Sequence, residues 1–166
     1  MIDTLYLTGP KEPLLRTKLE KFDFENPPID PAELSKSLYI TMMREGGLGL
    51  AANQVGLPYR VFVLRSVNDS YISCFNPLIV DKSSTEILLE EGCLSYKGMY
   101  VNIKRPKIIK VRYTQSDGQS VTRKFDGLTS RAYQHEMDHV DGIVHIDRLS
   151  RMAREKALKK WKKQNG

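Results

Sequence analysis

Histidine and cysteine are scarce in this sequence, with three of the first and two of the second among 166 residues. Cys74 and Cys93 sit in unlike settings, "YISCFNPLIV" and "EGCLS". So few thiols exclude the disulfide framework that holds small secreted domains together and point to a reducing compartment. Long apolar runs are missing, and "MIDTLYLTGP" has no basic region followed by an apolar core. A membrane-spanning helix and a secretory leader are therefore not expected, and the chain reads as a soluble cytoplasmic protein. Internal repeats, low-complexity segments and interdomain linkers are absent too. A hydrophobic content of 40% over this length suits one domain, residues 1–166, that buries a core without staples.

Charge of one sign is also lacking over most of the chain. Residues 148–166 hold eight Lys or Arg and one Glu, a charge of +7, which leaves the body at −1 within a total of +6. A polyanion such as ribosomal RNA is one reading of this basic tail. A solvated helix whose cations suit its C-terminal dipole is the other.

What is present sorts into helix, strands, helix. "GPKEPLLRTKLEKFDFENPPIDP" has the proline and turn content of an irregular lead-in that wraps the body. "DPAELSKSLYITMMREGG" predicts a helix capped by Asp30, with Pro31 at its first position, apolar Leu34, Leu38 and Met42, and a stop at Gly46 and Gly47. "YRVFVLRSV", "YISCFNPLIV", "STEILLEEG" and "KIIKVRYTQ" predict strands, and "SDGQ" predicts a hairpin turn. A second helix is expected from about Thr129 to Gly142, capped by Asp126, Thr129 or Ser130. A third is expected from Asp147 to the end, with Leu149, Met152, Ala153 and Trp161 as its apolar positions. The order predicts an α+β fold, with antiparallel or mixed sheets around the helix that carries the histidines.

Chemistry concentrates in "QHEMDHVDG". His135 and His139 stand four apart, which on a helix stacks both imidazoles on one face, with Glu136 beside them as a general base. Two surface histidines on an amphipathic helix are the plain alternative. A catalytic metal wants a third protein ligand, and Cys93 offers a soft thiolate preceded by a glycine, although a lone cysteine is otherwise a small buried hydrophobe. "GGLGLAANQVG" lacks the ending of a phosphate-binding loop and follows no strand. Its small residues and single amide, Gln54, suit a peptide-like ligand held by backbone hydrogen bonds along an edge.

"GLGLAANQ", "EGCLS" and "HEMDH" resemble, in order and approximate spacing, the three signature motifs of the peptide deformylases. "PLLRTKLEKF", "VGLPYRVFVL" and "HIDRLS" extend the likeness over nearly the whole chain. The resemblance implies hydrolytic removal of the formyl group from the formylmethionine of new polypeptides. It implies ferrous iron, with zinc, nickel or cobalt able to replace it, held by Cys93, His135 and His139. By the same likeness Glu136 is the acid/base, and Gln54 and the backbone N–H of Leu94 bind the formyl oxygen. Leu48, Gly49 and Gly92 would flank the substrate main chain, and Leu128 would line the methionine pocket. Departures from the pattern are Tyr96-Lys97-Gly98, Tyr100 in place of an arginine, and Arg131 in place of an apolar residue. Glu91 and Arg105 are read as a pair bracing the cysteine segment, His145 as structural and Cys74 as core. Two other functions compete: a zinc peptidase using the same helix motif, and a ribosome- or RNA-binding module with a structural metal.

Overall fold

A computed structural model describes residues 4–165; the first three residues of the chain and Gly166 of the basic tail lie outside the described residues. Helix α1 (Pro31–Glu45) begins where Asp30 accepts from the Glu33 N–H at 2.9 Å and ends at Gly46, whose φ of 74° only glycine adopts without strain. Strands β1 (Gly49–Ala51), β2 (Val61–Arg65), β3 (Tyr71–Lys82), β6 (Ile108–Thr114) and β7 (Ser120–Asp126) form one sheet in the order β1-β2-β3-β6-β7. Strands β4 (Glu86–Cys93) and β5 (Tyr96–Pro106) form a separate two-stranded ribbon, and every strand pairing is antiparallel.

Helix α2 (Gly127–Val140) starts at Asp126, which accepts from the Gly127 N–H, and lies between sheet and ribbon. Tyr133 anchors it. Its ring packs edge-on against Phe62 at 5.0 Å, and its hydroxyl donates to the Leu78 carbonyl at 3.0 Å, so a buried polar tip is satisfied within an apolar cluster. Cys74 lies in that same cluster. The lead-in wraps the body as expected, yet it also contributes Leu15, Leu19 and Phe22 to the core.

The last helix, α3, spans Arg151–Asn165 and so starts later than Asp147. Asp147 is drawn into a short turn at His145–Arg148, where its carboxylate accepts from the Val144 N–H and pairs with Arg16. Of the apolar positions expected for α3, Leu149 and Trp161 do pack against the core. Met152 and Ala153 are exposed, while Ala157, Leu158 and Trp161 pack beneath the ribbon. Trp161 Nε1 donates to the Lys97 carbonyl at 2.8 Å, which ties α3 to the turn of the ribbon. Among the described residues no helix is long and apolar enough to cross a membrane.

Candidate active site

One helix and two strand ends build the site. The spacing of His135 and His139 on α2 puts their rings 5.0 Å apart, both turned toward the ribbon. Cys93 is the last residue of β4. Register breaks between Glu91 and Cys93, and a turn through Leu94 and Ser95 follows, so the thiol is carried out of the ladder toward the helix. Cys93 Sγ lies 3.3 Å from His139 Nε2, and the donor atoms of Cys93, His135 and His139 all lie within 4.8 Å of one another. All three residues are substantially withdrawn from solvent.

Glu91 orients His135. Its Oε1 stands 3.0 Å from His135 Nδ1, which leaves Nε2 as the remaining ring nitrogen for the cluster. The same carboxylate takes Nε and Nη2 of Arg105 at 2.6 and 3.0 Å and Nη1 of Arg131 at 2.7 Å. Burial works to raise the Glu91 pKa, but the hydrogen bonds from His135 and Arg105 prevail and hold it well below the usual carboxylate range. The pair read from the sequence is thus part of a larger network. Arg105 Nη1 continues to Asp138 at 2.9 Å, and Asp138 also takes Arg148. Sequence reasoning did not join Asp138, Arg148 or Arg131 to it, because ion pairs between distant segments leave no periodic signal.

Glu136 is buried opposite β1. A Cβ on Gly49 would come within 2.8 Å of its Cγ and Oε1, so a glycine is required for the strand to pass. Burial raises the Glu136 pKa to about 7, and Oε2 has no hydrogen-bond partner. A carboxyl with that pKa is poised to exchange a proton near neutrality. His139 Nδ1 is likewise buried without a partner, and burial holds the His139 pKa well below its ordinary value. Burial also lowers the pKa of His145, to about 4. Its ring lies 5.7 Å from that of His135, but its Nε2 faces the Met99 carbonyl at 3.4 Å and it is not one of the clustered donors.

Gln54 completes the floor. Its Oε1 accepts from the Ala51 N–H at 3.0 Å, which fixes the amide so that Nε2 lies 3.1 Å from Ser95 Oγ and 3.9 Å from Cys93 Sγ. A cleft of about 520 Å³ opens above these groups, lined by Leu48, Gly49, Gly92, Leu94, Leu128 and Tyr100 among others. All the site residues expected from the sequence therefore border one space or its floor. The Tyr100 ring covers Gly92, where a Cβ would meet it at 2.6 Å, and Lys97 Nζ reaches Glu45 at 3.3 Å on the rim.

The family model described as polypeptide deformylase matches residues 7–155. The chain belongs to the polypeptide deformylase family. A peptide deformylase of Desulforudis audaxviator is 38% identical over 145 residues, which covers 87% of this chain and 93% of the relative. The crystal structure of the Thermus thermophilus peptide deformylase superposes with a TM-score of 0.85 at 31% identity, covering 96% of this chain and 92% of that one. A plant peptide deformylase gives a TM-score of 0.89 at 26% identity, covering 99% and 91%. Deformylases of this family are metal-dependent hydrolases that remove the N-formyl group from nascent polypeptides.

Proposed function

We propose that this cleft hydrolyses the formyl amide of an amino-terminal formylmethionine, with Cys93, His135 and His139 holding a divalent metal and Glu136 moving the proton. The observation that carries the reading is a convergence on one point: three donor residues, a buried carboxyl with an open oxygen and a fixed side-chain amide. The donor set fits the metal. One thiolate and two imidazoles suit ferrous iron, zinc, nickel or cobalt, and we take ferrous iron as the native ion. Three protein donors leave a fourth position open, as catalysis needs, whereas a structural zinc closes with four.

When bound, such an ion supplies Lewis acidity toward water and the formyl carbonyl. Glu136 takes a proton from the attacking water and returns it to the departing amine, which its raised pKa allows in both directions. The Gln54 amide and the Leu94 backbone N–H donate to the oxygen on which negative charge develops. Leu48, Gly49 and Gly92 flank the peptide main chain, and the first side chain enters between Leu128 and the α2 wall.

A nascent-chain substrate supports a cytoplasmic site of action, and the cations of α3 are our proposed contact with the ribosome. Paired assays of a formyl-Met tripeptide and the same peptide without the formyl group test the activity. Formate from the first and no cleavage of the second is expected. Cleavage of the unformylated peptide would return the site to a zinc peptidase.

A further inference from the structure

Arg131 stands one turn before His135 and lines the cleft together with Leu89, Leu128 and Ala132. A guanidinium on so apolar a wall needs a reason. It does not swing out to solvent, because β4 and β5 hold it in place. Nη1 donates to Glu91 Oε2 at 2.7 Å and to the Ile103 carbonyl at 2.7 Å, and Nη2 donates to the Ile87 carbonyl at 2.6 Å. Those three bonds satisfy only part of a five-donor fork. Among the described residues Nε–H has no acceptor, yet it is not one of the sealed polar atoms without a partner, which there are Asn53 Oδ1, Glu136 Oε2, His139 Nδ1 and His145 Nδ1. A donor that is unpaired and not sealed borders open space, and the space that Arg131 lines is the cleft.

We infer that Arg131 gives the pocket for the first side chain a fixed hydrogen-bond donor, so that formylated peptides beginning with methionine sulfoxide are substrates alongside those beginning with methionine. The inference rests on the proposed entry of that side chain between Leu128 and α2. A hydrocarbon tip pressed against Nε–H strips its water and returns nothing, whereas a sulfoxide oxygen replaces the lost bond. The thioether of methionine, a weak acceptor, falls between the two. Because three acceptors already orient the guanidinium, little ordering cost is left for binding. Turnover is the deformylation already described and needs no further reactant.

The test compares kcat/KM for three formyl tripeptides that differ only in the first residue: methionine, methionine sulfoxide and norleucine. Wild type and Arg131→Leu are assayed at equal metal content. The wild type is expected to favour sulfoxide over norleucine, and the ratio is expected to fall about tenfold in Arg131→Leu, the order of one charge-assisted hydrogen bond at a partly wetted site. An unchanged ratio in the folded variant overturns the inference. If the variant does not fold, because Glu91 and two carbonyls lose a donor, the wild-type ratio decides: above one supports the inference, one or below overturns it. Formate from formyl-Met with a ratio of one or below removes this inference alone. No formate from any of the three peptides removes the deformylase reading beneath it as well.

Discussion

Glu91 shows how one side chain governs a site that it does not chemically enter. Two arginines and a histidine saturate its oxygens, so it stays ionised and holds the His135 ring with Nδ1 turned away from the donor cluster. Arg105 is the partner that also neutralises Asp138, and all three groups are buried. Replacing it takes one buried cation from each carboxylate, leaving Glu91 to Arg131 and His135 and Asp138 to Arg148. Arg105→Leu should therefore lose about 1–3 kcal/mol of stability in chemical denaturation. Metal affinity measured against a competing chelator should fall roughly 10- to 100-fold. An Arg105→Ala protein that kept both its metal and its activity would show that the network does not brace the ligands.

At the scale of elements, the close pass of β1 over α2 sets where Glu136 sits. Gly49→Ala puts a methyl 2.8 Å from the carboxyl group, and because β1 is hydrogen-bonded to β2 the side chain must yield first. A displacement of about 1 Å in a catalytic group costs on the order of a hundredfold in rate. We expect kcat to fall by that order with metal content unchanged; a variant as fast as wild type would mean that the strand, not the carboxyl, gives way. The same elements show what the sequence made legible. Helices α1 and α2 declare themselves through Asp30, Asp126 and the His135–His139 spacing, which are local signals. Strand β1 did not, since Gly49, Leu50 and Ala51 become a strand only through pairing with Phe62, Val63 and Leu64. Strand β5 carries a readable alternation at Met99, Val101, Ile103 and Arg105, but an arginine ends its inward face and a glycine interrupts its start. Helix α3 starts at Arg151 and not at Asp147, because Asp147 is held in the preceding turn by the Val144 N–H and by Arg16 far back in the chain, and reaches α3 only through Arg154.

Across the whole molecule, charge and chemistry are separated. The nearly neutral body carries the cleft, and the cations gather on α3, whose contact face is little more than Ala157, Leu158 and Trp161. Replacing Lys159, Lys160, Lys162 and Lys163 by Gln should weaken ribosome co-sedimentation and flatten its salt dependence, since a polyanion contact acts through released counterions; unchanged co-sedimentation would refute the contact. That contact is secondary to the claim that the cleft is a deformylase centre in which Glu136 carries the proton. The most direct test is anaerobic formate release from a formyl-Met peptide by iron- or nickel-loaded wild type beside Glu136→Gln at matched metal content. The account predicts steady release by the wild type and a loss of at least about a hundredfold in the variant. No formate from folded, metal-replete wild type, or equal release by both proteins, would contradict it.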